Sequence, residues 1–232
     1  MVYSHKNPII MLVWDSVFSI FERSGKGVLM ASKILLTGFE PFGANRCNPS
    51  SEAVKKLPEL NGKEIKKLIL PVTWSGAFAA LLFAWREFEP DAVLMTGLAG
   101  GSDRIRIERV GINLCGAVKD NLGKYPDGTE LGALERKIAD DGPAAYFTTY
   151  NSSAILHALQ NAGIPAGFSF SAGTYLCNYV LYSSLDKIAR ESKDIKAGFL
   201  HVPYAEKERE NAPFLPLDTI VSALELALSN MF

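Results

Sequence analysis

Short apolar runs alternate along the chain with longer amphipathic stretches. The run at 92–96 (AVLMT) is apolar throughout, which is typical of a central strand that is covered on both faces. The other runs are short, rich in branched aliphatic residues and bounded by glycine, proline or charged residues. We predict strands at 33–37, 65–72, 92–96, 105–114, 166–170 and 197–202.

The stretches between these runs have the apolar spacing of amphipathic helices. We predict helices that begin after 48–50, with Ser50 or Ser51 as N-cap, and at 74–88, 151–162, 177–190 and 217–231. Strand and helix alternate without an internal repeat. This order predicts the α/β class, as a single three-layer α/β/α domain with a mostly parallel, mixed sheet.

The first 29 residues differ from the rest of the chain. Residues 8–21 are apolar but contain Asp15, and they are shorter than the roughly twenty residues that cross a bilayer. They also lack the small-residue cleavage site of a secretory signal. Because a strand is predicted directly after Met30, we expect residues 1–29 to be an extension outside the fold and residues 30–232 to form one domain.

Composition argues against several classes of function. The 232 residues include 24 basic and 25 acidic ones, with no long run of one sign, so we expect neither nucleic acid nor membrane as partner. Cys47, Cys115 and Cys177 are an odd number without CxxC spacing, and the three histidines lie far apart. We therefore expect no metal, no cofactor and no disulfide framework, and the reduced thiols indicate a cytoplasmic location.

Unusual residues collect where the predicted strands end. The glycine-containing segments 38–43 (GFEPFG) and 97–101 (GLAGG) each follow a strand, and His201 ends another. In open α/β sheets, ligands bind beyond the carboxyl ends of the strands. The sequence therefore predicts a functional site at this edge.

Cys177 is the candidate nucleophile. It follows the small-residue turn 171–174 (SAGT) and begins a predicted helix. The positive end of a helix dipole favours thiolate, and the amides of the first turn can hold an oxyanion. The alternative, which is the commoner fate of a free cysteine, is a small buried hydrophobic residue.

His201 and Glu108 are the candidate base and acid. Of the three histidines, only His201 lies at the end of a predicted strand, where an imidazole can exchange a proton with a thiol. Glu108 lies in an otherwise apolar strand and would orient the imidazole. A structural histidine, and a solvent-facing Glu108 paired with Arg106 or Arg109, are alternatives that the sequence leaves open.

Two loops are candidates for ligand binding. Segment 97–101 lacks the full GxGxxG spacing and the Lys-Ser/Thr of a P-loop, so its backbone would hold either a phosphate or a small polar ring. Phe39 and Phe42 flank Pro41. They form either local packing or an aromatic wall for a flat, neutral ligand.

Several of these segments together resemble the pyroglutamyl peptidase I family, also called pyrrolidone-carboxylate peptidases. They occur in order between about residue 33 and about residue 216, and they are 38–43 (GFEPFG), 48–50 (NPS), 97–101 (GLAGG), 108–110 (ERV), 171–178 (SAGTYLCN) and 201–203 (HVP). The resemblance implies a cytosolic cysteine peptidase that removes N-terminal pyroglutamate from peptides. It also implies a phosphorylase/hydrolase-like fold, no metal, and a homo-oligomer, either a tetramer or a dimer.

The resemblance assigns roles residue by residue. Three positions match the family's catalytic residues: Cys177 as nucleophile, His201 as base and Glu108 as orienting acid. Three others match its substrate-binding positions: Phe39 and Phe42, which would hold the lactam ring, and Leu98, whose backbone would read the ring amide. Residues 30–232 would then be the catalytic domain.

One segment departs from the family pattern. Relatives commonly have Ala-Arg-Ile-Pro-Asp-Asn after the ERV strand, and that arginine helps to form the oxyanion site, whereas this chain has 116–121 (GAVKDN). Lys119 would supply a charge but not a planar guanidinium. This departure leaves open a non-catalytic or retargeted relative that binds lactam-type N-termini. The glycine-rich loops at the strand ends also leave open, with less support, a nucleoside-phosphorylase-like enzyme.

Overall fold

A six-stranded mixed sheet runs through the centre of the computed structural model. The structure describes residues 31–43, 45–129, 135–205 and 212–232. Ser32–Phe232 is one compact unit. The predicted extension at 1–29 lies outside the described residues, so that boundary stays a prediction.

The large sheet contains parallel strands and one antiparallel junction. The strands are β1 Ser32–Phe39, β2 Lys63–Leu70, β3 Ala92–Leu98, β4 Ile105–Glu108, β5 Val110–Ile112, β6 Ala145–Phe147, β7 Ala166–Ser169 and β8 Lys196–Val202. The order across the large sheet is β2-β1-β3-β8-β4-β7, and among these six described strands only β8 and β4 pair in antiparallel direction. β5 and β6 form a separate antiparallel pair.

In the part of the chain that the structure describes, five helices cover the two faces of the large sheet, as the alternating pattern predicts for a three-layer α/β/α domain. They are α1 Pro49–Lys56, α2 Ala77–Phe88, α3 Ser152–Asn161, α4 Leu176–Glu191 and α5 Leu217–Asn230. Within the described residues, no helix is both long and apolar enough to cross a membrane.

Alternate residues of β1 show how the layers are assigned. Ile34 and Leu36 pack with α1, α3 and α5, whereas Leu35 and Phe39 pack with α2 and α4. Successive side chains of a strand point to opposite faces, so a residue's position along its strand decides which helices it meets. We refer to these surfaces as the α1 face and the α4 face.

The predicted strand at 105–114 is wrong in one respect, because the chain changes sheets at Arg109. The amide of Arg109 donates to the Ser169 carbonyl at 2.8 Å, and its carbonyl accepts from the Thr148 amide at 3.0 Å. Residues 105–114 therefore contribute β4 to one sheet and β5 to the other. Sequence analysis did not predict β6, since the strand has only three residues and its side chains are mostly exposed.

The predicted N-cap of α1 is also wrong, because Asn48 caps the helix in place of Ser50 or Ser51. Its Oδ1 accepts from the Ser50 amide at 3.1 Å and from the Ser50 hydroxyl at 2.9 Å. Its Nδ2 donates to the Glu40 carbonyl at 3.0 Å. Asn48 is buried, so it fixes the turn at 40–48 to the start of α1.

We expect Asn48→Ala to lower the free energy of unfolding by about 2–4 kcal/mol, because the cap is lost and buried polar partners are left unpaired. Asn151 is the matched control, since it caps α3 through one hydrogen bond to the Ala154 amide but is exposed. Asn151→Ala should cost only about 1 kcal/mol. Urea denaturation measures both, and equal losses would contradict the structural role given to Asn48.

Candidate active site

His201 lies between two strands of opposite direction near the end of β8. Its register partners are Gly97 on the parallel strand β3 and Arg106 on the antiparallel strand β4. All three residues belong to the α4 face, because they alternate with residues that pack in the core of the α1 face. The imidazole is buried, and its ring centroid lies 4.7 Å from that of Phe199.

Glu108 contacts His201 from the neighbouring strand. Its Oε1 lies 2.8 Å from His201 Nδ1, and the carboxylate is fully buried. Because β4 is antiparallel to β8, Glu108 pairs with Phe199 and reaches His201 diagonally on the same face. Glu108 is therefore not a solvent-facing carboxylate.

Tyr150 holds the two strands at this level. Its hydroxyl lies 2.8 Å from the carbonyl oxygen of Glu108 and 3.2 Å from that of Phe199. The tyrosine is buried, and burial raises the pKa of its hydroxyl well above the ordinary value. It therefore keeps its proton and remains a hydrogen-bond donor to these carbonyls.

Cys177 approaches the same place from the helix layer as the second residue of α4. A Cβ on Gly97 would lie 2.8 Å from Cys177 Sγ and 2.9 Å from Phe199 Cζ. Only glycine at this position leaves room for the sulfur and the ring. Since Gly97 is the register partner of His201, the sulfur lies at the level of the imidazole on the same face.

The Cys177 thiol is not acidic in this setting. Burial raises its pKa to about 12, and the charge of Glu108 contributes in the same direction. Burial thus opposes the thiolate that the helix dipole is expected to favour. A neighbouring base must accept the proton before the sulfur can react.

Phe39 and Phe42 lie in the same layer as Cys177. Phe39 ends β1 and is buried, and Phe42 is partly buried against the apolar cluster that Cys177 and Tyr175 also contact. Leu98 ends β3 directly after Gly97. Its side chain belongs to the opposite face, so its main chain is the part that adjoins the site.

The segment that departs from the family pattern is held by Asp120. Its carboxylate accepts from the amides of Trp74, Leu122 and Lys124 at 2.9, 2.9 and 3.0 Å. The next residue, Asn121, donates from Nδ2 to the Pro41 carbonyl at 2.9 Å. The segment is thus fixed to the turn that carries Phe39 and Phe42.

The Lys119 ammonium lies over an aromatic ring. Its Nζ lies 5.3 Å from the centroid of the Tyr125 ring. Its carbonyl accepts a hydrogen bond from the Tyr175 hydroxyl at 3.2 Å. Lys119 therefore links this segment to the residue that precedes α4 through its main chain.

Sequence analysis gave no role to Asn178. This residue is fully buried, and its Oδ1 accepts from the Ile112 amide at 2.9 Å. Its Nδ2 donates to the carbonyls of Ile112 and Leu114 at 2.9 and 3.0 Å. It ties the first turn of α4 to β5, and an amide adjacent to Cys177 is the one sequence signal that could have indicated this.

Comparisons with known proteins identify the family of this chain. A family model described as pyroglutamyl peptidase matches residues 32–232. A pyrrolidone-carboxylate peptidase of Thermococcus kodakarensis is 42% identical over 204 residues, which are 86% of this chain and 96% of that protein. A protein of the same name from Yersinia pestis is 40% identical over 203 residues, covering 85% of this chain and 91% of its own.

Solved structures show the same fold. Pyroglutamyl peptidase I of Bacillus amyloliquefaciens has a TM-score of 0.80 at 37% identity, over 87% of this chain and 95% of that one. Pyrrolidone carboxyl peptidase of Thermococcus litoralis has a TM-score of 0.79 at 35% identity, over 86% and 93%. Since the family model spans the entire described domain, the chain belongs to the pyroglutamyl peptidase family.

Proposed function

We propose that the protein is a cysteine peptidase that releases N-terminal pyroglutamate from peptides. Cys177 is the nucleophile, His201 the base and acid, and Glu108 the orienting acid. The observation that carries the proposal is the meeting of all three on one face, with Cys177 Sγ against Gly97 and His201 Nδ1 2.8 Å from Glu108.

The first half of the reaction forms a thioester. Because Nδ1 of His201 faces Glu108, Nε2 is free to accept the Cys177 proton. The sulfur then attacks the carbonyl carbon that joins pyroglutamate to the next residue, and the C=O electrons move to the oxygen. As the tetrahedral intermediate collapses, the C–N bond breaks and His201 gives the proton to the departing amine.

The second half hydrolyses the thioester. His201 removes a proton from water, the resulting hydroxide attacks the thioester carbon, and the C–S bond breaks. The Cys177 sulfur leaves with the electron pair and recovers the proton from His201. Glu108 stays ionised and stabilises the imidazolium at each step without taking up its proton.

The start of α4 supports the oxyanion role of its first-turn amides. Tyr175 occupies the N-cap position, and no side-chain capping bond is formed at this helix end in the described structure. Uncapped amides at a helix N-terminus can donate to a developing oxyanion, and they do so without a side-chain cation. This source of stabilisation would make the arginine absent from 116–121 dispensable.

We infer that an apolar pocket beside Cys177 sets the specificity. Phe39 and Phe42 belong to the same apolar cluster as Cys177, and the Leu98 main chain would supply polar groups for the ring amide. An ordinary N-terminal residue would bring an ammonium into this pocket. Burying that charge without a partner is strongly unfavourable, so the pocket selects the neutral lactam.

The remaining proposals concern the whole chain. We place the catalytic domain at 30–232, which the family match from residue 32 and the compact unit Ser32–Phe232 support. The free thiols of Cys115 and Cys177 support a cytoplasmic location. A homo-oligomer is supported by the exposed rings of Phe147, Phe168 and Phe170. Light scattering that gives a monomer would rule it out.

Proton transfer to His201 should control the reactivity of the Cys177 thiol. The pKa of about 12 keeps the thiol protonated at neutral pH unless His201 accepts its proton. We expect His201→Ala to slow alkylation of Cys177 by iodoacetamide at pH 7 by roughly 100-fold or more, with reactivity returning only at strongly alkaline pH. Peptide mass spectrometry separates Cys177 from the other cysteines.

His157→Ala is the matched control for this experiment. His157 is exposed on α3, so its loss should leave the alkylation rate at Cys177 unchanged. Equal rates for His201→Ala and the parent protein would show that His201 is not the base.

The proposed activity can be measured with fluorogenic amides. The protein should release a fluorogenic amine from its pyroglutamyl amide but not from a prolyl amide, and a chain that begins at Met30 should do the same. Cys177→Ala should lower kcat/KM by more than about 1,000-fold. Cys115→Ala, at a buried cysteine outside the triad, should retain activity. Absence of cleavage by the folded, reduced protein would favour the binding-only relative.

A further inference from the structure

Arg106 contacts both the triad acid and the segment that leads to the nucleophile. Its Nη2 lies 3.3 Å from Glu108 Oε1, and its side chain is 35% exposed. The same nitrogen donates to the Ser169 hydroxyl and the Ser171 carbonyl, each at 2.7 Å. Arg106 is also the register partner of His201 on the α4 face.

The groups around Glu108 give Arg106 electrostatic importance. The carboxylate is faced by His201 from β8, by Cys177 from α4 and by Arg106 from its own strand, while the Tyr150 hydroxyl bonds to its main-chain carbonyl. Glu108 Oε2 has no hydrogen-bond partner among the described residues. A buried carboxylate in this setting needs a cation to stay charged, and Arg106 is the permanently charged group within reach.

The net charge of the site also depends on Arg106. In the resting site, a neutral thiol and a neutral imidazole adjoin a Glu108 carboxylate and an Arg106 guanidinium, so the net charge is zero. Transfer of the Cys177 proton to His201 creates a thiolate and an imidazolium, and the sum stays zero. Without Arg106, the side chains of Cys177, His201 and Glu108 together would carry a net negative charge. Formation of the thiolate beside Glu108 would then be opposed more strongly.

The second set of contacts fixes the approach to Cys177. Ser169 ends β7, and Ser171 begins the turn that leads to the first residue of α4. A single guanidinium therefore joins the strand that carries the acid to the turn that precedes the nucleophile. Its planar fork suits this arrangement, because Nε also lies 3.3 Å from the Ser169 hydroxyl oxygen and is held rigidly beside Nη2.

We propose that Arg106 is a positioning residue of the reaction, which keeps Glu108 ionised beside His201 and holds the 169–171 segment in place. The inference rests on the proposed function, since it assigns Arg106 a part in the same thiol chemistry. The charge of Arg106 should affect the pH profile of the reaction, and its hydrogen bonds should affect thermal stability.

The test compares Arg106→Gln, which keeps hydrogen-bonding capacity without charge, with Arg106→Lys, which keeps the charge without the fork. In Arg106→Gln the acidic limb of the kcat/KM–pH profile for a pyroglutamyl amide should move upward by about one pH unit, giving a roughly tenfold loss at pH 6 and much less at pH 8. Arg106→Lys should have the same acidic limb as the parent protein, because the charge is kept. Its thermal midpoint should be lower than that of the parent, because lysine cannot hold Ser169 and Ser171 together.

Arg104→Gln is the matched control, since its guanidinium pairs with Asp103 at the surface and its loss should leave the profile unchanged. Ser169→Ala should lower the thermal midpoint without moving the acidic limb. The proposal would be overturned if the acidic limb of Arg106→Gln stayed at the same pH or moved to lower pH. It would also be overturned if the acidic limb of Arg106→Lys moved upward as far as that of Arg106→Gln. If Arg106→Gln does not fold, Arg106→Met replaces it as the uncharged variant, with the same expected shift and Arg106→Lys as the charged control.

A second readout separates this inference from the proposed function. The pH dependence of Cys177 alkylation by iodoacetamide needs no substrate, and it should show the same upward shift in Arg106→Gln. If the parent protein does not cleave pyroglutamyl amides, the proposed function fails while the alkylation profiles still test Arg106. Coincident alkylation profiles for Arg106→Gln and the parent would overturn the inference in either case.

Discussion

The contact between a fully buried Glu108 and His201 is the interaction on which the rest of the site depends. It exists because β4 runs against β8, which sets the carboxylate diagonally beneath the imidazole. A parallel β4 would bring residues 105–108 to this edge in the opposite order. The hydroxyl of Tyr150 holds both strands at this level through their carbonyls.

Because the site around Glu108 is buried, the proposed reaction depends on proton transfer between its own side chains. The Cys177 thiol has a pKa of about 12, so in the proposed reaction the resting sulfur is neutral and reacts only when His201 takes its proton. The apolar surroundings that raise this pKa would also exclude an ammonium group from the proposed substrate pocket. A single property, low polarity around Cys177, thus accounts for both the need for a base and the choice of a lactam.

Much of the fold could be predicted because its signals are local. Periodicity and turn residues were enough for the α/β/α layers, and the carboxyl-end rule directed attention to Gly97 and His201. The split at Arg109 was not visible, because a change of sheet within one β-like run depends on Ser169 and Thr148, which are distant in sequence. The role of Asn48 was missed because its partner at Glu40 belongs to a loop conformation that composition does not define.

The state of Glu108 is the clearest case of what sequence leaves open. An isolated carboxylate between two arginines is equally consistent with a surface ion pair and a buried triad acid. The choice depends on strand register, which sets Arg106 beside Glu108 and directs Arg109 over the Phe168 ring, 4.8 Å from its centroid. Long-range pairing of strands decided this point.

The account stands on a covalent intermediate at one sulfur. The most direct measurement is acid quenching of the protein during turnover of an activated pyroglutamyl ester, followed by peptide mass spectrometry. We predict a pyroglutamyl thioester on the peptide that contains Cys177 and on no other, and its loss in Cys177→Ala. Release of product without any adduct on Cys177, or an adduct on a different residue that disappears on chase, would contradict the account.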